Sequence, residues 1–205
     1  MPEFSDLAAR ILATEPRLGP VRLVAVDGPS GAGKSWFAGK LAKAADVPVV
    51  HTDDLLDGWD DQFTFWARLE EQVLEPLRHG RTATYRRYLW HRRAFGGPPV
   101  SVEPAAAVLL EGVTSARRAI GPELSFSVFV TAPPDLRWRR ALARDGGNDV
   151  AFRAYLERWR AAEDEHFAAE ATAAHADLLV DGAAEGSGDR YEALRQPPHW
   201  PRSAV

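Results

Sequence analysis

The sequence has no cysteine and a single methionine in 205 residues. Structural disulfides and thiolate-ligated metal sites are thereby excluded, while the absence says nothing about redox compartment. No apolar run approaches the ~20 residues a membrane-spanning helix needs, and no basic-then-apolar leader opens the sequence, so no membrane contact and a cytoplasmic location are expected. An excess of positive charge is also lacking. With 25 Lys and Arg against 29 Asp and Glu, the net charge is −4, and no basic footprint for a nucleic-acid partner exists. The arginines gather in local clusters instead. Internal repeats, a His and acid spacing suited to structural zinc, and an N-K-x-D guanine-reading motif are all missing. What remains is an ordinary globular composition, 45% hydrophobic and 26% charged, at a length that fits one domain.

Within that composition one stretch stands out. Residues 21–26 (VRLVAV) are a short apolar, β-branched run of the kind a buried parallel strand requires. They lead into DGPSGAGKS, which fits G-x-x-x-x-G-K-[ST] with Gly28, Gly33, Lys34 and Ser35. Wrapping a phosphate chain takes many inward backbone N–H groups and residues small enough for close approach, here Gly28, Gly31, Ala32 and Gly33. From Ser35 the apolar spacing turns helical, so a helix N-terminus faces the anion. The nucleotide-binding set is Gly28, Ser30, Gly31, Ala32, Gly33, Lys34, Ser35 and Trp36. Lys34 is expected to reach the β- and γ-phosphates of ATP, and the Ser35 hydroxyl to ligate Mg²⁺.

Elsewhere the spacing predicts helices over 4–12, 62–78, 135–144 and 150–174, and strands over 47–51, 105–110, 124–131 and 177–180. Strands alternating with helices imply an α/β fold, a three-layer α/β/α sandwich on a five-stranded parallel sheet. Residues 86–95, rich in arginine and aromatics, have no assigned conformation. Residues 1–182 are expected to form the domain, with a short lid around 140–152, and 183–205 an irregular tail.

Ligands of such sheets sit beyond the carboxyl ends of the strands, where the acids fall: Asp27, then Asp53 and Asp54, then Glu111. Transfer of phosphate to an alcohol needs a carboxylate that orients the hydroxyl and takes its proton. Asp53 fits that role, with Asp54 as the alternative. Ser35, Asp53 and Glu111 form the candidate Mg²⁺ set, and Glu111 could equally contact the acceptor. Tyr85 to Arg93 interleaves aromatics with cations, a pattern suited to a planar group and an anion. Trp59, Asp60 and Asp61 could bind acceptor hydroxyls or simply start a helix. Arg137, Arg140 and Arg144 share one helical face leading into Gly146 and Gly147, as a phosphate clamp on a hinge would. Glu163, His166 and Phe167 stand out on the long helix.

Taken together, DGPSGAGKS, HTDDLLDGWD (51–60), YRRYLWHRR (85–93), LLEGV (109–113) and DLRWRRALARDG (135–146) resemble the uridine kinase and nucleoside-kinase-like branch of the P-loop kinases. The resemblance spans 21–180. It implies Asp53 as base, Asp60 on a ribose, Tyr88, Trp90, His91 and Arg93 around a nucleobase, and Arg140 and Arg144 as catalytic phosphate clamps beside Lys34. It implies ATP and Mg²⁺ as cofactors and a small-molecule acceptor, a uridine- or cytidine-like nucleoside first. The departures lie on the acceptor side: Leu55 or Leu56 stands where that branch has an aromatic, and Leu89 where it has an acid. A sugar-like alcohol or an antibiotic therefore stays open as acceptor. So does a nucleoside monophosphate, through Arg86, Arg87, Arg92 and Arg93, and so does a regulatory ATPase with no acceptor.

Overall fold

The apolar segments become strands because both of their faces find apolar cover, and the intervening helices supply it. The computed structural model describes residues 1–145, 150–184 and 188–197. In chain order the elements are α1 (Phe4–Leu12), β1 (Arg22–Asp27), α2 (Lys34–Ala45), β2 (Val49–His51), α3 (Trp66–Leu69), α4 (Glu75–Arg78), β3 (Ala83–Leu89), β4 (Ala94–Val102), β5 (Ala107–Glu111), β6 (Leu124–Thr131), α5 (Pro134–Asp145), α6 (Val150–Glu170), α7 (Thr172–His175), β7 (Leu178–Asp181) and β8 (Ala193–Arg195). The main sheet runs β2-β5-β1-β6-β7-β8. Its first five strands are parallel, as expected, and β8 adds an antiparallel edge against β7.

Period-two alternation divides the core. Leu23 and Ala25 of β1, with Val108 and Leu110 of β5, face a cluster containing Leu69, Leu74, Leu77 and Trp159. Val24 and Val26, with Leu109, face the other way onto Phe4, Phe37 and Leu41. Each fully buried leucine or phenylalanine contributes about 1.5–3 kcal/mol relative to exposure, so both layers are held mainly by this burial. Asp27 ends β1 with no exposed surface. Its carboxylate accepts the N–H groups of Gly28 at 2.7 Å, Thr114 at 3.1 Å and Ala116 at 2.8 Å, tying the start of the glycine-rich loop to the turn after β5.

Two helix bounds need correction, and two open stretches gain a conformation. The helix predicted over 62–78 starts at Trp66, because the Asp61 carboxylate bonds the Thr64 hydroxyl and the Asp57 N–H and holds the preceding residues in turns. A π-helical turn, Glu70–Leu74, then separates α3 from α4. The unassigned arginine-rich segment is half of the β3–β4 hairpin. A register shift between Tyr85 and Arg87 breaks its alternation, so Ala83, Tyr85 and Tyr88 are buried at uneven spacing. The helix predicted to 174 breaks at Ala171, which takes a left-handed φ of 50°. The described part of the expected irregular tail is docked: Tyr191 is buried against Phe4 and Phe37, ring centres 5.2 and 5.5 Å away, just before β8. The proposed hinge at Gly146 and Gly147, and His199 to Pro201, lie outside the described residues.

Candidate active site

The loop between β1 and α2 adopts a form only glycine permits at two close approaches. Gly28 has φ 142°, and a Cβ there would lie 2.1 Å from the Val130 carbonyl oxygen. Gly31 has φ 75°, and its Cβ would lie 2.3 Å from the Arg137 carbonyl oxygen, where α5 crosses the loop. Gly33 precedes α2 and no side chain caps that helix, so its first N–H groups stay available to an anion. Lys34 is buried and its Nζ donates to the Pro29 carbonyl at 3.2 Å, inside the loop. This cradle fits a phosphate chain.

Around it opens a cleft of about 880 Å³. On the phosphate side the Ser35 hydroxyl donates to Glu111 Oε1 at 3.1 Å, and His51 Nδ1 lies 2.5 Å from Glu111 Oε2. Burial opposes the charge on Glu111, but His51, Lys34 and Ser35 outweigh it and hold its carboxyl below the usual range. The same bond raises His51 above its ordinary value. A hydroxyl and a carboxylate side by side are hard oxygen donors of the kind Mg²⁺ takes alongside phosphates, so this corner fits that ion. Among the described residues no group of three or more His or acidic side chains makes a separate metal cage.

Asp53 and Asp54 part company. Asp53 lines the cleft with Lys34, Ser35 and Glu111. It is open to the cleft yet crowded by protein on its other sides. That crowding and the charge of Glu111 push its carboxyl up, against the pull of Lys34 and Arg144. Asp54 points to the hairpin, paired with Arg87 at 3.1 Å and within 3.5 Å of the Tyr85 hydroxyl.

The far side of the cleft is aromatic. Trp59 packs against Trp90, Phe152, Tyr155 and Trp159 at ring-centre distances of 4.8, 5.5, 5.6 and 5.3 Å, and all five rings line the cleft. One face of α6 supplies Phe152, Tyr155, Leu156, Trp159, Arg160 and Glu163, an i, i+3, i+4, i+7, i+8, i+11 series. Glu163 is buried, accepting the Ser30 N–H at 3.2 and 3.1 Å, the Ser30 hydroxyl, and Trp159 Nε1 at 2.8 Å. It couples the aromatic wall directly to the glycine-rich loop.

Of the residues singled out in the sequence, Ser30, Lys34, Ser35, Asp53, Leu56, Trp59, Trp90, Arg93, Glu111, Arg137, Arg144 and Glu163 line this cleft. Others are placed differently. Arg140 donates to the Gly31 carbonyl at 3.3 Å and the Gly182 carbonyl at 2.8 Å, stapling the loop to the end of β7 instead of facing the cleft. Asp60 is exposed and accepts the Tyr155 hydroxyl at 2.9 Å. Tyr88 is buried edge-on between Trp90 and Phe95, and His91 is exposed in the hairpin turn. Trp36 packs its edge on Phe4 at 5.8 Å, away from the cleft. His166 stacks on Phe63 at 5.2 Å. Arg160, Tyr155 and Trp159 went unremarked in the sequence; the one-face series along 150–170 was the signal that could have found them.

No protein-family model matches this chain, and no curated protein does. Solved structures do. One is a possible uridine kinase from Bacillus stearothermophilus, with TM-score 0.62 at 19% identity over 86% of this chain and 96% of that one. Another is provisionally described as a fructose transport system kinase from Silicibacter sp. TM1040, with TM-score 0.61 at 20% identity over 83% and 96% of the two chains. The chain has the fold of the P-loop kinases. Among its described residues no helix is long and apolar enough to cross a membrane.

Proposed function

We propose that this protein is a kinase that transfers the γ-phosphate of ATP to a hydroxyl of a small metabolite. The observation that carries the reading is Asp53, which lines the cleft together with Lys34 and the Ser35–Glu111 pair on one side and an aromatic compartment on the other. Phosphoryl transfer needs positioning and charge neutralisation more than covalent chemistry, and these residues supply both. The loop from Gly28 to Ser35 holds the triphosphate. Lys34 and Arg144 offset the charge that spreads over the transferring group. Ser35 and Glu111 would hold Mg²⁺, which would supply positive charge to offset that of the phosphates. Asp53 accepts the hydroxyl proton as the acceptor oxygen bonds to phosphorus and ADP departs. Crowding that raises a carboxyl makes it a better proton acceptor, which suits the role.

The aromatic compartment supports an acceptor with a flat ring, and the resemblance puts a nucleoside first. A sugar-like alcohol has only a narrow C–H face to set against the rings and stands second. The test is ADP formation by purified protein with MgATP against nucleosides, nucleoside monophosphates and simple sugar alcohols. Saturable, acceptor-dependent turnover is expected. ATP hydrolysis that no acceptor stimulates would instead favour a regulatory ATPase.

A further inference from the structure

An aromatic box by itself accepts either a flat ring or an alkylated cation. The surrounding charge decides between them. Arg93, from the turn joining β3 to β4, and Arg160, from α6, line the same cleft as the box. Among the described residues neither has an ion-pair partner. The acids that line the cleft are already engaged: Glu111 by His51 and Ser35, and Glu163 by Ser30 and Trp159. Asp53 lies within the field of Lys34. Asp60, bonded to the Tyr155 hydroxyl, does not line the cleft. A cation in the box would meet the unmatched guanidiniums of Arg93 and Arg160, with that of Arg137 on the same cleft, and of the lining acids only Asp53, beside Lys34, is not held in a hydrogen bond among the described residues.

The backbone at Arg93 points the same way. Among the described residues four non-glycines hold a left-handed φ: Asp46, Arg93, Thr114 and Ala171. Arg93, at φ 51°, is the one of these that lines the cleft. Glycine or asparagine fills such turn positions at little strain, so an arginine there is a local disadvantage maintained beside a ligand cavity. Arg160 follows Trp159 directly and lies one helical turn from Glu163, which grips the glycine-rich loop. That places its charge where the aromatic compartment meets the phosphate side.

We propose that the acceptor carries an oxyanion, a carboxylate or a phosphate, beside its flat ring, and that Arg93 and Arg160 recognise it. The inference rests on the kinase reading and narrows it: neutral nucleosides and polycationic antibiotics are not the preferred acceptors. The transfer step is unchanged by it. The hydroxyl oxygen bonds to the γ-phosphorus, the bond to the β,γ-bridging oxygen breaks, ADP leaves with that electron pair, and the proton passes to Asp53. The oxyanion is read and not altered.

Three matched probes test the proposal: 4-(hydroxymethyl)benzoate, 4-(hydroxymethyl)phenyl phosphate and the neutral 4-(hydroxymethyl)benzamide. Each is titrated by tryptophan fluorescence into the full chain loaded with Mg²⁺ and a non-hydrolysable ATP analogue. One of the anions should bind about tenfold or more tightly than the amide, as charge-assisted pairs with arginine allow. Which anion wins separates carboxylate from phosphate. R93Q and R160Q should each shrink the preference to within about threefold while leaving nucleotide affinity within about twofold. Equal binding of all three probes, or variants that weaken the nucleotide and not the anion, would overturn the proposal. Transfer from MgATP to the same probes keeps the two readings apart. Anion-selective binding with transfer to no alcohol overturns the kinase and not the anion site. Transfer to the amide as readily as to the anions does the reverse.

Discussion

The two sides of the cleft are built in different ways. The phosphate side is backbone: eight consecutive residues, Gly28 to Ser35, set between a strand end and a helix start. Its geometry is dictated by where a Cβ cannot go. The acceptor side is side chain. Trp59, Trp90, Arg93 and the α6 face come from three separate stretches and meet only through packing. A site made of main chain tolerates little change and binds what every relative of the motif binds. A site made of side chains can be rewritten residue by residue. The two meet at Glu163, which bonds Ser30 on one side and Trp159 on the other.

If that contrast is right, the largest effect of a single group belongs to the phosphate side. Burial pushes Asp27 up to about 7 from 3.8, against the pull of three backbone N–H groups and Lys34. Between those values the folded chain keeps a proton that the unfolded chain has released. Its contribution to stability is therefore full below about pH 4 and is lost as pH rises to about 7, on the order of 4 kcal/mol. Urea midpoints measured from pH 4 to pH 8 should show this fall, and Asp27→Asn should flatten it. An unchanged slope in the variant would mean that Asp27 titrates normally.

Next comes Gly31→Ala. Its Cβ would meet the Arg137 carbonyl at 2.3 Å with φ at 75°, so the loop must shift. We expect a loss of about 1–3 kcal/mol in thermal stability. Nucleotide affinity, read by calorimetry, should fall on the order of tenfold or more. Retained affinity would show that the cradle is less rigid than its contacts imply. Smallest is Trp159→Phe, which keeps an aromatic ring beside Trp59 and removes the donor to Glu163. It should lower stability by about 1 kcal/mol and leave nucleotide affinity unchanged. A loss of nucleotide affinity as large as that of Gly31→Ala would erase the distinction between the two sides.

The same contrast governs what the sequence makes legible. A phosphate cradle is contiguous, so spacing alone reveals Gly28 to Ser35, and burial on both faces makes β1, β5 and β6 plain apolar runs. Asp53 and Glu111 follow from their places at strand ends. The acceptor wall is not contiguous. Arg160 is one of three arginines along α6, with Arg153 and Arg158 exposed, and only tertiary packing turns it toward the cleft. Arg140 shares a helical face with Arg144, but one of its partners is the Gly182 carbonyl, 42 residues further along, which no local pattern announces. The bulge in β3 hid the hairpin, and an alanine in a left-handed conformation, where glycine is usual, hid the end of α6.

The central claim is that Asp53 serves the acceptor while the loop serves the nucleotide. Asp53→Asn separates the two directly, with MgATP affinity read by calorimetry and phosphoryl transfer by single-turnover quench on the best acceptor from the panel. The account predicts affinity within about twofold of the parent and transfer slowed by about 10²–10⁴. Transfer at the parent rate, with affinity unchanged, would contradict it.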